Sequence, residues 1–485
     1  MSSRLLKNTS IYILGEGAIL VSSLVSFPIL TRLLTKSDYG ILSLITLSVS
    51  LAESLFSFGL GHAIQRFYSD HMDKGDVDLF HSTSLIAAVS AGIIGSILTL
   101  GASKFLSMFN IISDEIFFVS QLAALLTLIR IIIRIFGSFL RAQELSKKYV
   151  ILSISAKYSG MFLAIILIHE FELGINGFFI GLLLGELVVI LLYLKLFLSS
   201  FVVRPLVYSH KLTIDMIKYG FPMVLSGLAM NLLNLGDRYI IGYFMTTADV
   251  ANYSVPYNLC MYLQGTIVTA FQFAMVPSIL KSLKTVGEVN AIFQIKNIIK
   301  MYCFISVPLF FGIITVGEDI IVFLASEKYR SDEILIPFIM AGVFFSGLHT
   351  PLTIGLLIYK KSIVLLKISI LAALINMIMN ILLVPVLGLV GAALSTLISY
   401  VLFVSLGAFA SSKLLKIMIP WKPITRYISY SILSLSLFYL TKIYVLHENI
   451  FFQITAGISS YVFLLLLFDC DVKRNIKNIY NSCIN

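Results

Sequence analysis

Fourteen runs of mostly apolar residues, each close to the length of a membrane crossing, dominate this 485-residue chain. They lie at 9–30, 40–65, 82–104, 115–137, 150–169, 174–198, 217–243, 251–278, 297–317, 334–357, 363–384, 388–410, 425–446 and 449–468. A helix rising about 1.5 Å per residue needs roughly 20 such residues to cross about 30 Å of hydrocarbon. A spanning strand needs only about ten, with polar and apolar residues alternating. The runs are longer than that and apolar on all sides, as in "LIAAVSAGIIGSILTL" and "SSYVFLLLLF". Lipid leaves no water to satisfy an open backbone, so only helices and closed barrels span it. The expectation is an all-α integral membrane protein with 14 transmembrane helices. Composition agrees: 58% of residues are hydrophobic and 12% charged, against roughly 25% charged in soluble domains. That is too little charge to coat a globule of this size.

The placement of positive charge orients the chain. With the N-terminus inside, the outer loops hold Arg32, Lys36, Lys104, Lys328 and Arg330, and 22 other Lys and Arg fall in the inner loops and tails. Short loops rich in Lys and Arg stay inside, so both termini are expected in the cytoplasm and the helix count is even. The net charge of +10 then reflects topology and contact with anionic lipid, not a nucleic-acid surface. The first run lacks an A-x-A cleavage site and is long for a signal segment, so it reads as retained. Cys260, Cys303, Cys470 and Cys483 are scattered, two of them in the inner tail, and indicate neither disulfides nor a metal framework. The seven histidines are dispersed, and no G-x-x-x-x-G-K-[ST] or H-E-x-x-H run occurs. No cofactor is expected, and ATP is not the direct energy source. The longest outer loop, about 318–333, is too short to fold as a catalytic domain, which argues against an enzyme.

The chain also repeats itself. Thr35, Asp38 and Ser43 return as Thr246, Asp249 and Ser254; "SDEI" at 113–116 returns at 331–334. Lys147 and Lys148 match Lys360 and Lys361, and Leu173, Gly174 and Gly177 match Leu387, Gly388 and Gly391. Four matches in one order, at offsets of 211 to 218, map the first six helices onto the next six. Six is even, so both copies enter the membrane in the same direction as a parallel repeat. The expected organisation is an N-lobe (1–215, helices 1–6), a C-lobe (216–412, helices 7–12) and an appendix of helices 13–14 with a cytoplasmic tail (413–485), with a central cavity between the lobes.

Ionisable residues within spanning helices are costly and mark function. Arg130 lies about fifteen residues, or roughly 20 Å, into its run. Arg134 and Arg141 follow on the same face. Those two can snorkel to the inner interface, whereas Arg130 is too deep for that and is expected in the cavity. The seventh run carries Asn231, Asn234, Asp237 and Arg238; either these bind cargo or Asp237 and Arg238 form a structural pair near the outer surface. Lys157, Glu186 and Lys300 lie in other runs, and Asn376 and Asn380 sit one turn apart in the eleventh. Burial raises a carboxylate's proton affinity, so Glu16 and Glu53, with Asp237, are candidates for ion coupling; neutral or salt-bridged helix contacts explain each of them equally well. Arg130, Arg134, Lys157, Arg238 and Arg66 form the candidate cationic set, with Asn231, Asn234, Asn376 and Asn380 as polar lining. Arginine's fork suits phosphate, which points to an anionic cargo.

"FPILTRLLTKSDYGILSL" (27–44), "FGLGHAIQRFYSD" (58–70), "GDRYIIGYFMTTADVANYSV" (236–255) and "LGLVGAALSTLISY" (387–400) resemble the Wzx-type polysaccharide flippases. These belong to the MOP superfamily, together with the MATE drug exporters and the lipid II flippases. The resemblance covers nearly the whole chain. It implies a MATE-like fold and a cargo of oligosaccharide on undecaprenyl diphosphate, as in O-antigen and lipopolysaccharide assembly. The cargo would pass from the cytoplasmic to the periplasmic leaflet of the bacterial inner membrane by alternating access, with coupling to H+ or Na+. Membrane lipids and other polysaccharide-assembly proteins are the further partners it implies. Lipid II flippases look arginine-rich on helix 1, whereas this helix carries Glu16 and only a late Arg32, which disfavours lipid II. Arg66, at the inner end of helix 2, is placed to meet the headgroup, though topology alone also explains it. The alternatives are a MATE-like exporter of small amphiphiles and a membrane glycan polymerase or glycosyltransferase. The second would need catalytic residues on larger loops.

Overall fold

The computed structural model describes residues 3–109, 112–198, 207–330, 334–444 and 450–469. Over its described residues, each of the fourteen runs is built of helix. The first is α1 (Ser3–Leu33). The second is broken by a turn at 57–59 into α2 (Lys36–Phe56) and α3 (Leu60–Lys74). Then come α4 (Val77–Met108), α5 (Asp114–Ala142), α6 (Ser146–His169) and α7 (Gly174–Leu198). The seventh run is α8 (His210–Leu235) and α9 (Asp237–Phe244), interrupted only at Gly236. There follow α10 (Thr247–Thr285), α11 (Glu288–Ala325), a 3₁₀ turn at Glu327–Tyr329 and α12 (Leu335–Ile358). The chain closes with α13 (Ser362–Ser412), α14 (Trp421–Tyr444) and α15 (Ile450–Phe468). Among the described residues, ten helical spans are long and apolar enough by themselves to cross a membrane, so this is a multi-pass membrane protein.

The structure gives the internal repeat a physical form at the helix ends. Thr35 and Asp38 make a reciprocal cap: the Asp38 N–H donates to Thr35 Oγ1 over 3.1 Å, and that hydroxyl donates to Asp38 Oδ2 over 2.8 Å. Thr246 and Asp249 do the same over 3.2 and 2.6 Å at the start of α10. Such caps satisfy backbone donors that a first helical turn leaves orphaned. The two caps also touch, with Ser37 Oγ 2.7 Å from Thr247 Oγ1. Gly174 and Gly388 both take the left-handed conformation, with φ of 51° and 58°, which glycine adopts without a Cβ clash. In the first copy this glycine opens α7. In the second it is the non-helical residue inside α13, whose 51 residues are therefore two helices, for the runs 363–384 and 388–410, joined at this kink. At about 1.5 Å per residue that is two crossings. Ser113 caps α5; the second "SDEI" lies almost entirely outside the described residues, as do Cys470 and Cys483.

By contact the chain divides into two compact units, residues 1–254 with 369–392 and residues 255–368 with 393–485. The first centres on Phe80, Phe136, Phe139, Ile64 and Met216. The second centres on Tyr302, Leu352, Val404, Tyr427 and Leu465. In the first unit α6 and α7 pack most tightly. A Cβ on Gly181 would sit 2.3 Å from Ala164 Cα, and one on Gly185 would sit 2.5 Å from Gly160 Cα. Small residues four apart on both helices let the backbones meet, which is how helices associate in lipid without a hydrophobic driving force.

Candidate functional site

The deepest charges of the first unit sit on three adjoining helices. Arg130 is sixteen residues into α5, Glu186 twelve into α7 and Lys157 eleven into α6, which puts each roughly 17–24 Å along its helix. Arg130 grips Glu186: its Nε lies 3.2 Å from both carboxylate oxygens, and its Nη2 lies 2.9 Å from Oε1. The Glu186 side chain is 8% exposed and that of Arg130 24%, so the pair is screened far more from water than a surface bridge. One turn along α5, Arg134 Nη1 donates to Glu53 Oε1 of α2 over 3.1 Å. Lys157 is half-buried beside the charges of Arg130 and Glu186 and makes no ion pair or hydrogen bond among the described residues. Three cations against two carboxylates leave this cluster formally positive by one. A carboxylate buried without a partner is strongly unfavourable, so the Arg130–Glu186 pair is costly to break unless another ion replaces one member.

Below the cluster, Arg141 donates to Ser138 Oγ over 3.1 Å and lies 4.6 Å over the Tyr149 ring. Tyr149 meets Tyr12 of α1 edge-on at 5.6 Å. Arg134, which could equally have snorkelled, is committed to Glu53.

The other sequence candidates fall elsewhere. Asp237 and Arg238 are buried at the start of α9, against α10: Tyr253 donates to Asp237 Oδ2 over 2.6 Å, the Arg238 N–H donates to Asp237 Oδ1 over 2.9 Å, and Arg238 Nε donates to Ser254 Oγ over 2.9 Å. Asn231 and Asn234 are half-buried on α8. Asn376 and Asn380 are wholly buried on α13, where Asn380 Nδ2 donates to the Asn376 backbone and side-chain oxygens over 2.8 and 3.1 Å. Arg66 is exposed on α3 and pairs with Asp70 at 3.2 Å. Glu16 is exposed on α1 and forms no ion pair among the described residues.

Two features of the second unit left no signal in the sequence reading. One is a buried network: Gln264 Nε2 donates to Tyr302 and Ser306 over 2.6 and 2.9 Å, and Tyr302 donates to the Phe344 carbonyl over 2.6 Å. The other is a cavity of about 510 Å³ between α11, α14 and α15, walled by Phe304, Pro308, Leu435, Phe438 and Tyr461. Its α15 wall runs from Gln453 to Leu465, roughly 18 Å of helix. Glu186 was visible in the sequence, but nothing there tied it to Arg130.

The family of polysaccharide biosynthesis proteins matches residues 5–283. The chain belongs to that family. Among curated proteins none matches. Among solved structures, the lipid II flippase MurJ in an inward closed conformation is similar, with a TM-score of 0.73 at 17% identity over 95% of this chain and 99% of that one. A MATE-family multidrug resistance transporter of the MOP superfamily, inward-facing, has a TM-score of 0.67 at 15% identity, over 81% and 94% of the two chains. A MOP-superfamily transporter from Pyrococcus furiosus follows, with a TM-score of 0.60 at 16% identity over 85% and 96%. The fold is therefore the one shared by MurJ and the MATE transporters, and the family links this chain to polysaccharide assembly.

Proposed function

We propose that this protein turns undecaprenyl-diphosphate-linked oligosaccharide units from the cytoplasmic to the periplasmic leaflet of a bacterial inner membrane. The observation that carries this reading is the positively unbalanced cluster of Arg130, Arg134, Lys157, Glu53 and Glu186 at mid-helix depth, in a family of polysaccharide biosynthesis proteins. A diphosphate crossing hydrocarbon needs fixed cations, and guanidinium forks match its oxygens. The apolar cavity of the second unit offers lodging to part of a polyprenyl chain. The repeats 1–215 and 216–412 act as the moving parts of an alternating-access cycle, with 413–485 as an added hairpin and tail. Glu16, Glu53 and Asp237 are the groups through which H+ or Na+ would couple to it. The termini stay in the cytoplasm.

A MATE-like exporter of amphiphiles is the second reading, supported by the MATE fold. A cargo of hydrophobic cations would call for an excess of carboxylates, and the cluster has the opposite balance. Deletion of the gene decides between them. Lipid-linked repeat units accumulating on the cytoplasmic leaflet, with surface glycan lost, support the flippase. Normal glycan with altered drug sensitivity overturns it in favour of the exporter.

A further inference from the structure

Arg130 is already occupied. Its fork holds Glu186 through three contacts of 2.9 to 3.2 Å, which is the geometry with which guanidinium also holds phosphate. Lys157, beside the pair, makes no ion pair among the described residues. We propose that Glu186 stands in for the cargo's phosphate on Arg130 when the site is empty and yields that arginine to the diphosphate when cargo binds, with Lys157 as the cation that makes the first contact. This deepens the flippase reading and rests on it.

The physical reason lies in the transport cycle. An empty carrier must reset with its cations still in a low-dielectric interior, where an unpaired charge is penalised heavily. A tethered carboxylate removes that penalty. It also competes with every arriving phosphate, so it weakens binding and eases release. The position of Glu186 supports a built-in competitor. It follows Gly185, whose close approach to Gly160 on α6 leaves little room for α7 to shift, and Ser159 Oγ donates to the Gly185 carbonyl over 3.1 Å. The carboxylate is thereby held next to Lys157 and in reach of Arg130, while α5 supplies the arginine from the other side. Glu53 plays no such part. It meets Arg134 through one oxygen, with 22% of its side chain exposed, so water rather than a fixed partner can take its place.

The roles predict a split between affinity and turnover that a merely structural carboxylate would not give. The full-length protein in nanodiscs of phosphatidylcholine is titrated with undecaprenyl diphosphate, and surface glycan is measured in cells carrying the same variants. Glu186→Gln is expected to bind roughly tenfold or more tighter, the size of one charge-assisted bond, while glycan display falls. Lys157→Met is expected to bind roughly tenfold or more weaker, and Arg130→Met to lose binding. If Glu186→Gln does not fold, Glu186→Asp, which shortens the reach to Arg130, is expected to tighten binding by a smaller factor. Wild-type binding that Arg130→Met abolishes but neither Glu186 variant tightens overturns the stand-in role and leaves the flippase reading intact. No binding by the wild type overturns both. Displacement of undecaprenyl diphosphate by equimolar phosphatidylglycerol would make this a general anionic-lipid site and likewise overturn the proposal.

Discussion

In the first unit, Arg130 holds Glu186 over 2.9 Å; in the second, Gln264 reaches Tyr302 over 2.6 Å. Both contacts tie helices together deep in the chain, and they differ in kind. The second unit joins neutral groups at depth: Gln264 donates to both Tyr302 and Ser306, and the His349 ring stacks on Phe403 at 4.3 Å. Its buried acid, Asp469, sits at the end of α15 with Arg426 3.9 Å away. The first unit keeps Glu186 buried against Arg130 at mid-helix. An amide network can pin helices at modest cost, because a neutral hydrogen bond asks little of the solvent it leaves. A buried ion pair pins no better and costs far more to desolvate. Its presence at mid-helix depth marks the first unit as a place where charge has work to do. At the helix ends the internal copies agree, in the Thr35–Asp38 and Thr246–Asp249 caps and in Gly174 and Gly388.

The hardest test of this contrast is Arg130→Met. It strands Glu186 and is expected to lose about 3–5 kcal/mol of stability, read by unfolding in detergent, together with surface glycan. Adding Glu186→Leu should restore most of the stability and none of the glycan; glycan from the double variant would reduce the pair to scaffolding. Next is Gly185→Leu, which forces a side chain into a 2.5 Å gap and should cost about 1–3 kcal/mol or more by overpacking, with glycan falling alongside the folded fraction. Tyr302→Phe should cost about 1–3 kcal/mol yet leave transport per folded molecule unchanged. Lost transport at unchanged stability would show that the neutral network does more than pin.

The smallest effect lies outside the membrane. Arg330 donates to Glu327 over 2.5 Å and to Glu318 over 3.2 Å, and its hydrogen bond holds the Glu327 carboxyl below the usual carboxylate range. A lowered carboxyl stabilises above its ordinary range, and that contribution disappears as acid protonates it. Glu327→Gln should therefore melt slightly below the wild type at neutral pH, and the gap should begin to close only as the pH falls below about 4, through the carboxyl's lowered range. A difference that persists in acid would place the contact's value in packing.

The helices were legible because hydropathy over twenty residues is a coarse signal that tertiary detail rarely reverses. The repeat was legible because caps and left-handed glycines demand particular residues at particular places, as at Thr35, Thr246 and Gly388. Arg130 stood out by depth alone. Its partner did not: Glu186 is 56 residues away, and no local pattern encodes which face of α7 meets α5. For Arg238 the sequence left cargo binding and a structural pair with Asp237 equally open; its Nε donates to Ser254 and its backbone N–H to Asp237 Oδ1. The break between α2 and α3 and the cavity beside α15 arise from how helices fit together, which hydropathy does not record.

The glycine-on-glycine contact between α6 and α7 turns those two helices into one stiff blade that carries Lys157 and Glu186 together. Spacing within the blade is fixed at assembly, so a probe pair on α6 and α7 would stay silent through the working cycle. A pair on α5 and α7 would not. The distance between those helices is the needle on the gauge, and it should move each time a phosphate takes the arginine.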